Sequence, residues 1–516
     1  MDIRKISEKK IAADAVKMTL LSLAMQTAGM VFNAAVSART GTAAVGLMSL
    51  TFSVFSFIMV LANGNILLST SRFVSEARGA GRENFSGLMR YCLGFSFLLS
   101  CGFTLLSLCL SGVIGERLLG SEEMGNAVRI IALSLPFAAV GSCIKGYFHG
   151  IRRVEIPMRG DLIEFAAKWT ALFAGLLVSG GGKGFYICVS GGILAGEFIS
   201  FLYYSRVFTV ERRRYLTFKN PAVTLPTDTP SGYLKASLPI LLSGYVQMLL
   251  STANELLVPA ALLKFSGNAD TALAGYGCFE AMIMPALFFP SAVLTSLSGI
   301  IVPEAALANR SPDPECRRQR LRCLTAGAFD KGFSYSFFIA LLFLAAGKPL
   351  GELLCPSDPT VGSSLVILAP VVPFIYLEII LEGLLKGCGR QNFSTVNSLA
   401  EYAVRIICVI VFAGKYGFPG VLVSYYASNI ISNLVRIRVM CREADLRFSV
   451  TRFILSPLLR GAVCTGTGLA AARLTHAAAA GNAVWLAVVI LTAATVYVLF
   501  FPMGKKLYEP SGCAAA

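Results

Sequence analysis

The chain has 516 residues, 55% of them hydrophobic and only 14% charged, with a mean hydropathy of +0.68. A water-soluble chain averages about 25% charged residues, so a soluble globule is excluded, and so much apolar side chain equally excludes disorder. What remains is a polytopic membrane protein, whose length allows roughly a dozen or more spans of about 20 residues.

Apolar segments able to cross a bilayer are predicted, in chain order, at 14–38, 43–71, 87–111, 127–150, 156–180, 184–207, 233–262, 271–300, 323–346, 362–387, 394–413, 417–440, 450–473 and 482–503. The sequence therefore predicts an all-α polytopic membrane protein of fourteen transmembrane helices. The first segment follows a basic stretch, as a signal peptide would. Its apolar part is too long for one and carries Gln26 and Asn33, so it is read as a retained span.

Charge fixes the expected direction. The basic stretch, alternate connections and the tail (the groups containing Arg78, Arg152, Arg213, Arg317, Arg390, Arg442 and Lys505) hold 32 of the 45 Lys and Arg residues. In that tally Lys145 counts with the Arg152 group and Arg436 with the Arg442 group. The positive-inside rule then puts both termini in the cytoplasm. The net charge of +16 thus reads as membrane topology, not as affinity for nucleic acid. Residues 209–232, with Arg212-Arg-Arg214 and Pro221, Pro226 and Pro230, form a cytoplasmic linker.

The chain also contains a duplication. At an offset of 237, residues 130–168 match 367–405 without a gap, with ten identities in 39 positions, including Pro136/Pro373, Gly146/Gly383, Gly150/Gly387, Arg153/Arg390 and Glu164/Glu401. Roughly three would arise by chance in so apolar a composition. Val74-Ser-Glu76-Ala77 echoes Val302-Pro-Glu304-Ala305, and Ser22, Gln26 and Asn33 echo Ser243, Gln247 and Asn254. The expected organisation is an N-terminal six-helix lobe at 1–208, the linker, a second lobe at 233–440, and two further helices with a tail at 441–516. Six spans is an even number, so the lobes have the same orientation and a pseudo-twofold along the membrane normal. That architecture suits alternating access around a central cleft.

Polar groups inside hydrocarbon are costly, which makes them functional candidates. Gln26 and Asn33 share one face of the first helix, as Gln247 and Asn254 do in the seventh, with Glu255 beside them. These, with Asn63, are expected to line the cleft; hydrogen bonding within each bundle is the structural alternative. Arg39 and Arg72 are the cations best placed for an anionic cargo, and either can instead snorkel to headgroups. Glu280, Glu378, Glu382 and Lys331 are further charges in spans, the first two counted with the cleft. Glu164/Lys168 and Glu401/Arg405 are i,i+4 pairs, expected to neutralise each other as structural ion pairs. The Gly146/Gly150 and Gly383/Gly387 spacings are expected to let helices approach closely.

No nucleophile–base constellation, Walker loop or metal cluster is apparent, so neither an enzyme nor a cofactor is expected. Two histidines, His149 and His476, and fourteen cysteines without a CxxC pair argue against a metal site or a disulfide framework.

Thr70-Ser-Arg-Phe-Val-Ser-Glu76, Gly146-Tyr-Phe-His-Gly150, Glu164, Glu255-Leu-Leu-Val-Pro259 and Pro370-x-x-Pro373-Phe with Gly383-x-x-x-Gly387 resemble the stage V sporulation protein B family. That family is a branch of the multidrug/oligosaccharidyl-lipid/polysaccharide (MOP) exporter superfamily, and the likeness runs along spans 1–12. It implies a V-shaped, two-lobed helical fold. It also implies flipping of undecaprenyl-pyrophosphate-linked saccharides, with lipid II as one candidate, across the cytoplasmic membrane. The two added spans fit the lipid-handling relatives. Dedicated lipid II flippases carry several arginines deep in the cleft, whereas spans 1 and 2 here offer Gln26, Asn33, Asn63 and Asn65, so a pyrophosphate clamp is limited to Arg72 and Arg39. The rival expectations are an ion-coupled cation or multidrug antiporter using Glu255, Glu280 or Glu378, and a non-transporting scaffold for envelope synthesis. One chain already supplies both lobes, so a monomer in contact with membrane lipids suffices.

Overall fold

The structure, a computed structural model, describes residues 23–39, 41–79, 84–115, 122–151, 153, 155–179, 185–215, 229–309, 313–356, 358–475 and 481–500. Among the described residues all regular structure is helical. In chain order the α-helices are α1 (23–39), α2 (Thr42–Asn63), α3 (Ile66–Gly79), α4 (Ser86–Val113), α5 (Glu122–Ala132), α6 (Leu135–Gly150), α7 (Glu155–Ser179), α8 (Phe185–Tyr215), α9 (Pro230–Ser266) and α10 (Ala269–Cys278). They continue as α11 (Met284–Phe288), α12 (Ala292–Asn309), α13 (Pro314–Leu354), α14 (Thr360–Leu368), α15 (Val372–Gly387), α16 (Gln391–Cys408), α17 (Gly414–Tyr416), α18 (Phe418–Glu443), α19 (Ser456–Leu474) and α20 (Asn482–Phe500).

Each predicted span is helical over most of its described residues, with turns at 64–65 and 133–134. Among the described residues, ten helices are long and apolar enough to cross a membrane, or eleven if the pair Gly125–Ala132 and Leu135–Gly150, bent by 42°, is one span. Fourteen is compatible with this count. The other three expected spans are α1, with 17 described residues, α7, which carries the half-buried Asp161, Glu164 and Lys168, and α18, which carries the buried Arg436.

Helix α4 displays the logic of a membrane protein. Its buried face is Leu88, Met89, Cys92, Ser96, Ser100, Thr104, Ser107 and Ser111, while Phe97, Leu98, Leu105 and Leu106 stand exposed. Small hydroxyl residues inside and large apolar ones outside are the reverse of a soluble helix, and they let neighbouring helices approach closely in lipid.

Contacts divide the described residues into two units. One comprises residues up to Gly46 together with those from Leu257 onward, and the other is Leu47–Leu256. Both boundaries fall inside helices, α2 and α9. Within the second unit α3 packs on α6 and α7 on α8, around Phe73, Val74, Cys92, Tyr147, Phe148 and Tyr204. Within the first, α12 packs on α15 and α16 on α18, while α19 and α20 rest against α13, where Phe338 stacks on Tyr497 at 4.5 Å.

The duplication reappears in the geometry. Helix α6 shifted by 237 residues coincides with α15 at both ends. A Cβ on Gly146 would meet the Leu67 carbonyl at 2.5 Å, and one on Gly150 would meet Val74 at 2.7 Å. In the other copy a Cβ on Gly383 would meet Ser298 at 2.4 Å, and one on Gly387 would meet the Val302 carbonyl at 2.6 Å and Ala305 at 2.5 Å. The glycines are packing contacts between spans 2 and 4 in one copy and spans 8 and 10 in the other. The turns after α6 and α15 also agree, since Arg153 N–H bonds the Phe148 carbonyl (2.9 Å) and Arg390 N–H bonds that of Leu385 (2.8 Å). Each arginine side chain then pairs with a glutamate at the end of a later helix, Arg153 with Glu211 at 3.0 Å and Arg390 with Glu443.

Candidate functional site

Several spans are broken, and the breaks organise their polar groups. Span 2, expected as one helix over 43–71, stops at Gly64 and Asn65, both at positive φ (49° and 52°). A Cβ on Gly64 would lie 2.1 Å from Leu241, and one on Gly244 would lie 2.0 Å from the Asn65 amide. Tyr245 Oη donates to the Leu61 carbonyl (2.9 Å), a group left at the end of α2. Asn63 ends that helix half-buried, and its Oδ1 has no hydrogen-bond partner among the described residues.

Span 8, expected as one helix over 271–300, is interrupted from Phe279 to Ser291 by a π-turn and a 3-10 turn. The cause is proline. Pro285 has no N–H for the carbonyl four residues earlier, that of Ala281. Asn33 Nδ2 supplies the bond instead, at 2.9 Å. Tyr376 Oη donates to the Leu287 carbonyl (2.6 Å) and Tyr335 Oη to that of Pro290 (2.7 Å). In span 10, Tyr426 Oη donates to Ile367 beside the break at Ala369–Val371. Breaks in spans persist where neighbours satisfy the freed carbonyls. These tyrosines were not singled out from sequence. Pro285 and Pro290 inside an apolar run were the available signal.

Two charge clusters occupy equivalent places in the two copies. Arg436 has no solvent exposure and pairs with Glu378 (2.9 Å) and Glu401 (3.1 Å), with Ser398 Oγ 3.0 Å away. Arg405 pairs with Glu401 (2.8 Å), donates to Ser428 Oγ (3.0 Å) and lies over the Tyr425 ring at 4.5 Å. In the other copy Lys145 pairs with Asp161 (2.5 Å) and Glu164 (3.6 Å) and lies over the Tyr204 ring, whose hydroxyl donates to Pro157 (3.0 Å). Gly160 makes room for that ring, since a Cβ there would fall 2.1 Å from it.

Several expectations need correcting. Arg436 and Lys145, counted among the cytoplasmic connections, are inside helices and paired, because carboxylates on adjacent spans reach them. Glu401/Arg405 forms as expected. Glu164 instead takes Lys145 from α6, and Lys168 sits over the Phe52 ring at 5.9 Å. Glu378, offered as a cleft residue, is held by Arg436. Arg72, the better clamp candidate, is bound to Glu76 at 2.8 Å, both side chains more than half exposed.

Arg39 and Gln247 are exposed and Gln26 is half-buried. Asn254 is buried with its Oδ1 unpartnered among the described residues, and the adjacent Glu255 accepts from Ser251 at 3.3 Å. Glu280 is half-buried within the π-turn, next to the carbonyl that Asn33 binds. Among the described residues, no group of three His, Cys, Asp or Glu is placed to hold a metal ion.

Residues 18–165 match the MatE family. In fold the chain is similar to an inward-facing multidrug resistance MATE transporter of the MOP superfamily, with a TM-score of 0.61 and 14% identity over 84% of this chain and 98% of the other. It is also similar to the lipid II flippase MurJ in an inward closed conformation, with a TM-score of 0.66 and 14% identity over 94% of this chain and 98% of the other. The chain has the MOP-superfamily fold. Over 455 residues this MOP-fold membrane protein is 23% identical to stage V sporulation protein B of Bacillus subtilis (strain 168), covering 82% of this chain and 83% of that one.

Proposed function

We propose that this MOP-fold protein flips a lipid-linked oligosaccharide or peptidoglycan precursor across the bacterial cytoplasmic membrane. The cargo class is an undecaprenyl-pyrophosphate-linked saccharide, with lipid II one member. The two six-helix copies, 1–208 and 233–440, would work by alternating access in a monomer whose termini are both cytoplasmic. One observation supports this above others: the likeness to the lipid II flippase takes in 94% of the chain, against 84% for the MATE transporter.

The physics fits. Each charge of a diphosphate costs several kcal/mol to carry through hydrocarbon, and a polar path replaces the lost hydration while the polyprenyl tail stays in lipid. An inside-negative potential adds about 2.3 kcal/mol per charge per 100 mV for an anion moving outward. No bound nucleotide is then required.

A second reading, ion-coupled antiport of cationic drugs, rests on the likeness to a MATE transporter and on Glu255, which is half-buried and accepts a bond from Ser251. Glu378 suits it less, because it is paired with Arg436. Purified protein in vesicles holding a lipid-linked saccharide discriminates the two. Flipping predicts faster modification of the headgroup by a probe confined outside. If that rate is unchanged while Glu255→Gln abolishes efflux of a fluorescent cation, the antiporter is correct.

A further inference from the structure

A cavity of about 570 Å³ lies among α13, α15, α18 and the segment that follows α18. Its volume falls within the range of about 300–1,000 Å³ found for small-molecule sites. Its inner wall is apolar, formed by Phe333, Phe337, Phe374 and Leu434. Its rim carries Arg438, Arg442 and Arg447, with Asp445 the one acidic lining residue. All three arginines are exposed, and none has an ion-pair partner among the described residues. Three guanidinium groups against one carboxylate leave the rim doubly positive.

The other copy of the repeat has a related feature. A smaller cavity of about 190 Å³ lies among Phe85, Met89, Leu93 and Phe208, with Arg90 and Arg212 at its edge. Arg212 follows Glu211, the partner of Arg153, just as Arg442 precedes Glu443, the partner of Arg390. An apolar recess with a basic edge therefore recurs beside the same ion pair.

We propose that the larger cavity binds an anionic phospholipid, one acyl chain lying among Phe333, Phe337, Phe374 and Leu434 and the phosphate meeting Arg438, Arg442 and Arg447. Basic recesses between transmembrane helices recognise anionic headgroups in this way, and a chain already in the bilayer reaches the apolar wall without crossing water. All the lining residues belong to one contact unit. The site does not depend on what the protein transports.

The test uses the full chain, delipidated in detergent and given back phosphatidylglycerol or phosphatidylcholine, with bound lipid counted by native mass spectrometry. Phosphatidylglycerol should bind in preference. Arg442→Gln should weaken it roughly fivefold, and the triple change of Arg438, Arg442 and Arg447 to Gln roughly a hundredfold. Cys441→Trp, which narrows the cavity and leaves the arginines, should also displace the lipid, whereas Arg473→Gln on α19 should not. The single Arg442 variant, at an exposed position, serves if the triple variant does not fold. Equal retention of the two lipids, or unchanged binding in both Arg442→Gln and Cys441→Trp, overturns the proposal. Displacement of phosphatidylglycerol by equimolar undecaprenyl phosphate also overturns it, because the site would then belong to the cargo.

Discussion

Arg436 carries a full charge at a position with no solvent exposure, and it is tolerated only because Glu378 and Glu401 both reach it. Removing one member of such a group strands the others, which costs about 3–5 kcal/mol. Arg436→Gln is therefore expected to lower the thermal unfolding midpoint of the detergent-solubilised protein sharply. Arg72→Gln breaks an exposed pair worth less than about 1 kcal/mol and should leave that midpoint nearly unchanged. If the two variants unfold alike, the cluster around Arg436 is not the structural element described above. The sequence concealed this residue for a simple reason: Arg436 opens a run with Arg438 and Arg442, and only the fold tells a buried guanidinium from an interfacial one. Glu401/Arg405 was legible because i,i+4 spacing alone brings those groups together. Glu164/Lys168 has the same spacing and does not pair, because Lys145 on another helix competes.

Helix breaks are the feature that apolar periodicity does not register, since each broken span is as hydrophobic as a straight one. Pro285 was readable as a lost donor; which side chain would replace it was not, because Asn33 is 248 positions away. That exchange can be measured. Asn33→Ala should cost about 1–3 kcal/mol by leaving the Ala281 carbonyl bare. In a Pro285→Ala background, where residue 285 regains its N–H, the same substitution should cost clearly less. Equal penalties in the two backgrounds would refute the compensation. The glycine contacts predict a matched pair: Gly150→Val and Gly387→Val should both destabilise, because each inserts atoms where the neighbouring helix already stands within 3 Å, while Gly94→Ala, with open space around it, should not. At the start of α14, burial pushes the Asp358 carboxyl up, but hydrogen bonds from Thr360 and Cys278 more than reverse this and hold its pKa below the usual aspartate value. A depressed pKa stabilises the folded state above the unfolded value and is lost in acid, below about pH 4. Asp358→Asn should flatten that part of the pH–stability curve.

For the molecule as a whole, composition, span spacing and the gapless repeat already pointed to a duplicated helical membrane protein. Residues such as Gln26, Asn33 and Asn63 were harder to assign, since a hydrogen-bonded strut and a cargo contact look identical in sequence. Asn33 has the first of these roles. If the cargo is anionic, outward flipping in proteoliposomes should quicken as the interior is made more negative, an effect that a neutral cargo would not display. The two copies have also diverged in one telling respect. Where α6 has Lys145, the matching place on α15 is Glu382, and Tyr204 faces α7 where Arg436 faces α16. Grafting 367–405 in place of 130–168 would consequently suit the available space, glycine for glycine, yet import Glu378 and Glu401 with Arg405 but without Arg436, the guanidinium that reaches both. Shape has stayed interchangeable since the gene doubled; charge has become private to each half.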